Sequence, residues 1–106
     1  MEQEAHQGAW IWTTSRYASL ETKKRAQTLA GGAGSCYIAR GKKTIDDIAE
    51  FARRLGFVRI MLLEECAGHP SQIRTIDISP DGRWKWADTM KIEEYTDWRK
   101  AEKYES

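Results

Sequence analysis

Arg40 to Gly56, RGKKTIDDIAEFARRLG, reads as a basic turn feeding a helix, and the rest of the chain is placed around it. The Thr44 hydroxyl can accept a hydrogen bond from an otherwise unpaired amide of the first turn, which makes it an N-cap. Asp47 follows at the capping-box spacing, with Asp in place of the usual Glu or Gln. Asp46 and Asp47 suit the positive end of the helix dipole, and Arg53 and Arg54 suit the negative end. Gly56 supplies the left-handed residue that ends many helices. Ile45, Ile48, Ala49, Ala52 and Leu55 recur at i, i+3, i+4, i+7 spacing, so one face packs on a core. Arg40, Lys42 and Lys43 crowd the entrance.

Outward from that helix, the 106 residues read as a flexible, polar segment at 1–9 and one domain at 10–106. A charged fraction of 31% and a hydrophobic fraction of 41% fit a folded chain rather than a disordered one. No apolar run approaches the ~20 residues of a membrane span. The opening MEQEAHQGA lacks the basic and apolar regions of a signal peptide, so a cytoplasmic protein is expected. Cys36 and Cys66 are too few for a disulfide framework and are read as small buried hydrophobes.

Trp10 to Thr14, WIWTT, is aromatic and β-branched, with Trp10 and Trp12 on one face of a strand and Ile11 on the other. Ser19 can cap a helix to about Ala30, whose apolar stripe of Thr22, Ala26, Leu29 and Ala30 is weak. Gly31, Gly32 and Gly34 end it. Cys36 to Ala39 is a short strand. Beyond the central helix, Phe57 to Leu63 suits a strand covered on both faces. A turn is expected over Glu64 to Ser71, then a strand from Gln72 to Ser79. Pro80-Asp81-Gly82 turns the chain again into a half-buried strand from Arg83 to Ala87. A last helix, from about Lys91 to Tyr104, carries Ile92, Tyr95 and Trp98 as a stripe.

The order β-α-β-α-β-β-β-α predicts an α/β (α+β) fold, one mixed five-stranded sheet with three helices. Trp12, Leu55, Ile60, Leu62, Ile76 and Trp84 are expected in the core, with Trp10 at its margin.

Several chemistries are excluded. Gly41-Lys42-Lys43-Thr44 lacks the earlier glycine and the Ser or Thr directly after the lysine that a P-loop needs. Glycines 31, 32 and 34 miss the dinucleotide spacing. Cys66 and His69 would be half of a zinc set, with no spacing to supply Cys36 and His6 as the rest. Glu64 and Glu65 are adjacent on an expected strand, so they face opposite ways. No catalytic group, metal or cofactor is expected.

Binding remains. Residues 16–43 carry +6 within a chain of net +1, which leaves −5 for all other residues. Such segregation points to an anionic partner. Arg16 follows the first strand, Lys23, Lys24 and Arg25 lie on the first helix, and Arg40, Lys42 and Lys43 follow the second strand. If those strands are parallel, both basic loops meet on one rim, the usual ligand edge of an α/β sheet. Backbone amides at Thr44 could join the lysines in holding phosphate. The expected RNA-binding residues are Arg16, Lys23, Lys24, Arg40, Lys42 and Lys43. The alternative is a solvated helix face beside a polar loop.

Thr13-Thr14-Ser15-Arg16, then Tyr37-Ile38-Ala39-Arg40-Gly41-Lys42-Lys43, then Glu64 with Gly68 and Pro70 resemble the pattern of Brix-domain proteins. The likeness runs from about Trp10 to Trp86 and is greatest to short archaeal members, which resemble nucleolar pre-rRNA processing proteins. It implies ribosome biogenesis through binding of ribosomal RNA precursors and other assembly factors. It also implies a fold whose halves are similar to the anticodon-binding domain of class IIa aminoacyl-tRNA synthetases. The family's TSR-like segment maps onto Thr14, Ser15 and Arg16, its RG segment onto Arg40 and Gly41, and its hairpin turn onto Glu64, Gly68 and Pro70.

A Brix domain usually holds two such halves, and this chain matches about one half plus a helix. Either that helix caps a single half, or a second copy supplies the rest. A homodimer through Ile92, Tyr95 and Trp98 is set against the helix folding back onto its own sheet. A non-enzymatic rRNA-binding assembly factor is therefore expected first. A protein-interaction module without RNA contact comes second, and a small-molecule or enzymatic domain third.

Overall fold

The computed structural model describes residues 10–31 and 35–95. Strand β1 (Ile11–Thr14) leads to helix α1 (Leu20–Leu29), strand β2 (Cys36–Tyr37) and helix α2 (Ile45–Arg54). Strands β3 (Arg59–Cys66), β4 (His69–Ile78) and β5 (Trp84–Lys91) follow as a meander. All five form one sheet in the order β2-β1-β3-β4-β5. β1 is parallel to both neighbours, with Ile11 opposite Cys36 on one side and Ile60 on the other. The β3–β4 and β4–β5 pairs are antiparallel, so the sheet is mixed, as the element order requires.

The crossovers explain the layers. The β1–α1–β2 unit steps one way along the sheet, and β2–α2–β3 steps back across β1. Right-handed crossovers in opposite directions put their helices on opposite faces. Two apolar clusters show this arrangement. Trp12, Ala26, Met61, Leu63 and Ile73 lie together on the α1 side, and Ile11, Ile48, Ala52, Ile60 and Ile76 on the α2 side. β1 and β3 are thus covered on both faces.

Both helices begin as their sequences predict. The Thr44 hydroxyl accepts from the Asp47 amide at 3.1 Å, and the Asp47 carboxylate accepts from the Thr44 amide at 2.9 Å. Gly56 takes a φ of 86°, in the left-handed region. Ser19 caps α1, accepting from the Thr22 amide at 3.3 Å.

Several expectations need correction. Leu55 is 49% exposed rather than buried. It is the C-cap residue of α2, where the chain already swings away, and Phe57 packs on the cluster in its place. Trp84 is only half-buried because β5 is an edge strand; its indole donates to Asp46. The turn expected over Glu64 to Ser71 shrinks to Ala67 and Gly68, with φ of 53° and 83°. Two successive left-handed residues suit a tight hairpin, so β3 and β4 run nearly to the tip. Cys66 is exposed beside that tip, and Cys36 is only half-buried, packed against the α2-side cluster. β5 continues through Lys91, past the expected end at Ala87.

A third helix begins at Ile92, and its course after Tyr95 lies outside the described residues. Ile92 and Tyr95 are buried against the α1-side cluster, and the Tyr95 ring meets Trp12 edge-on at 5.3 Å. Two of the three residues offered as a dimer interface therefore belong to the chain's own core. Trp98 lies outside the described residues.

Candidate nucleic-acid interface

Because β1 and β2 are parallel, their C-terminal ends share one edge, and the loops after them meet there. Arg40 to Lys43 is a tight turn closed by the Lys43 amide on the Arg40 carbonyl at 3.0 Å. Gly41 holds a φ of 51°, a conformation that a β-carbon disfavours. Arg40 Nε donates to the Lys43 carbonyl at 2.8 Å, and its Nη1 to the Thr14 carbonyl at 3.0 Å. One guanidinium thus closes the turn and ties it to the end of β1. Lys43 Nζ donates to the Ala39 carbonyl at 3.1 Å.

Arg16 and Lys42 differ from these two. Both are exposed, and neither makes a hydrogen bond or ion pair among the described residues. Arg16 is nonetheless close to the turn electrostatically. Partial burial, and next the Arg16 charge, lower the Arg40 pKa from its ordinary value. Arg16 and Lys43 also help hold Asp47 below the usual carboxylate range, although the Thr44 amide is the largest cause. Arg16, Arg40, Lys42 and Lys43 accordingly gather on one rim.

Lys23 and Lys24 lie near the start of α1, after the loop that carries Arg16. They are exposed on α1, across the sheet from α2, and make no ion pair among the described residues. Nor does the start of α2 offer a phosphate nest. The capping box occupies the Thr44 and Asp47 amides, and the carboxylates of Asp46 and Asp47 sit in that first turn. An incoming phosphate would meet two negative charges there, so cationic side chains rather than the helix end must carry any anion contact.

The neighbouring end of α1 is braced by the β3–β4 hairpin. Glu65 Oε1 accepts from the Thr22 hydroxyl at 2.6 Å and from the Ser19 amide at 3.1 Å. These bonds, Thr22 first, depress its pKa. The Ser19 hydroxyl lies 2.7 Å from the Gly68 carbonyl, and His69 pairs with Glu21 at 2.9 Å. Gly68 is thus structural, as its motif implied. The described residues contain no group of three or more potential metal ligands.

One rim residue escaped notice in the sequence. Tyr17, between Arg16 and the cap of α1, has a φ of 60° and is 95% exposed. A tyrosine in a strand-to-helix connection carries no sequence signal for either property.

No protein-family model matches the chain, and no curated protein matches it by sequence. Solved structures do. A probable ribosomal biogenesis protein from Aeropyrum pernix K1 superposes with a TM-score of 0.72 at 24% identity, over 78% of this chain and 47% of that one. Mil, an archaeal Imp4-like protein, matches with a TM-score of 0.58 at 31% identity, over 70% of this chain and 46% of its own. The chain spans just under half the length of each. The first likeness is one of fold.

Proposed function

We propose that this chain, Brix-like in fold, is a non-catalytic ribosome biogenesis factor that binds ribosomal RNA or its precursors through the basic rim. One observation supports this most: Arg16 and Lys42 hold charges unpaired among the described residues, beside a turn that Arg40 and Lys43 brace. A fixed turn presents cations without the entropy loss of ordering a loop on binding. Such contacts recognise backbone charge and shape rather than base sequence. The solved structures similar to it are described as ribosomal biogenesis and Imp4-like proteins, which agrees with pre-ribosomal particles or assembly factors as partners. A cytoplasmic location goes with this reading. Among the described residues, no helix is long and apolar enough to cross a membrane.

The test is a salt titration of RNA binding by the wild type, Lys42→Glu and Lys42→Glu with Lys43→Glu. Each phosphate contact contributes roughly 0.7–0.9 to the slope of log affinity against log salt. Both variants should bind more weakly across many RNA sequences and show a flatter slope. Lys42→Glu alone spares the Lys43 bond to Ala39, so its loss cannot be blamed on the turn.

A protein-interaction module is the second reading, and a particular feature favours it. Phe51, Leu55 and Val58 are each about half exposed around the end of α2, at the opposite edge of the sheet from the rim. Equal affinity and slope in all three proteins would put this reading first.

A further inference from the structure

We propose that Tyr17 is a stacking platform for an unpaired base, so that the rim selects single-stranded over paired RNA. This deepens the RNA-binding reading above and rests on it.

Two independent features of Tyr17 point away from a structural role. Its ring is 95% exposed, the highest of the exposed large hydrophobic side chains among the described residues, so the core makes no use of it. Its backbone is left-handed at φ 60°, a conformation that glycine or asparagine adopts readily and a bulky residue does not. The chain must reverse between the last β1 bond, where the Ser15 amide meets the Leu63 carbonyl, and the Ser19 cap of α1. A left-handed residue serves that reversal, but nothing in the fold asks for an aromatic one. Strain held at an exposed site indicates a function for the side chain that the fold does not explain.

Its position says which function. Tyr17 follows Arg16 in the β1–α1 loop, and the parallel pairing of β1 with β2 brings that loop to the same edge of the sheet as the Arg40–Lys43 turn. Leu20, three residues on at the start of α1, is also exposed. Cations that take phosphate beside an aromatic face that takes a base are the two parts of a single-strand site. The other exposed aromatic groups are less suited to this. Arg74 lies over the Trp86 ring at 3.7 Å, and Phe51 belongs to the far edge of the sheet. Bases within a duplex are already stacked on one another and closed to the ring, whereas splayed bases are open to it. Because every base has a π-face, this contact discriminates paired from unpaired RNA without reading sequence.

The experiment measures binding of an oligo(U) strand, an oligo(A) strand and an RNA duplex of matched length to full chains at fixed salt. Tyr17→Ala should weaken both single strands by about 5- to 150-fold, the equivalent of about 1–3 kcal/mol per stacked base. It should leave duplex affinity and the salt slope unchanged. Tyr17→Phe should retain single-strand affinity. Tyr17→Gly should lose it while raising the denaturation midpoint, since glycine relieves the left-handed backbone; this separates lost binding from lost folding. If Tyr17→Ala matches the wild type on single strands while Lys42→Glu weakens them, the stacking role is overturned and the rim reading stands. An equal loss on strands and duplex also overturns it. If Tyr17→Ala weakens binding to a purified assembly protein and leaves RNA untouched, the ring is a protein contact and the proposal fails. A wild type that binds no RNA removes the rim reading and this one together.

Discussion

Arg40 Nη1 donates to the Thr14 carbonyl at 3.0 Å, joining the C-terminal ends of two parallel strands through one side chain. The same guanidinium holds the Lys43 carbonyl, so the turn depends on a planar, multi-donor group. Arg40→Ala should cost about 1.5–3 kcal/mol, the range for hydrogen bonds made by a charged group. Arg40→Lys should recover little, because an ammonium cannot reproduce the fixed fork. Urea denaturation measures both, and wild-type stability in Arg40→Lys would count against the bracing role.

Two apolar residues that look equivalent in sequence should behave differently. Ile60 is fully buried between β1 and β4, so Ile60→Ala should cost about 2–5 kcal/mol. Leu55→Ala should change stability by no more than about 0.5 kcal/mol, as for ordinary surface positions. Similar losses from both would show that Leu55 is covered in solution.

Acid should loosen the hairpin–helix junction and the start of α2. Glu65 and Asp47 both have folded-state pKa values below their unfolded ones, through the Thr22 hydroxyl and the Thr44 amide respectively. A depressed carboxylate stabilises fully above its unfolded pKa and loses that contribution as pH falls through its folded value. The decline should therefore begin below about pH 5, as the ordinary carboxylate range is approached from above. Glu65→Gln should be less stable at neutral pH and lose less on acidification. Thermal melts of both proteins from neutral pH downward check this, and parallel pH profiles would exclude Glu65 as a contributor.

The charges on α1 give a functional contrast. Lys23→Glu with Lys24→Glu reverses as much charge as the change at Lys42 and Lys43, but on the other side of the sheet. It should flatten the salt slope by less than the roughly 0.7–0.9 of one phosphate contact. A larger change would extend the RNA surface across α1.

What could be read from the sequence was chiefly local or topological. The caps at Ser19 and Thr44 and the left-handed Gly56 follow from neighbouring residues alone. The parallel β1–β2 pair follows from the helices between strands, and with it the meeting of Arg16 and Arg40. Periodicity tells which way Leu55 faces and not whether anything stands opposite it. The long β3–β4 hairpin was missed because Pro70 suggests a break, yet Pro70 sits opposite Glu65 within the ladder. At the site, Asp46 and Asp47 signal a helix start in the sequence, and the same charges oppose phosphate binding. Nothing in the letters marks Tyr17 as exposed or left-handed.

The place of β1 between β2 and β3 bears on the order of folding. The β3–β4–β5 meander closes through two short turns, so its contacts are local and quick to form. Ile11 cannot find Ile60 until the intervening chain exists and its loop entropy has been overcome. We therefore expect the meander to form the folding nucleus and β1 to dock late. Ile76→Val should slow refolding, whereas Ile11→Val should mainly speed unfolding; chevron plots of the two variants distinguish them. The reverse pattern would place β1 in the nucleus. During synthesis, the strand at the heart of the parallel ladder would then be made first and used last.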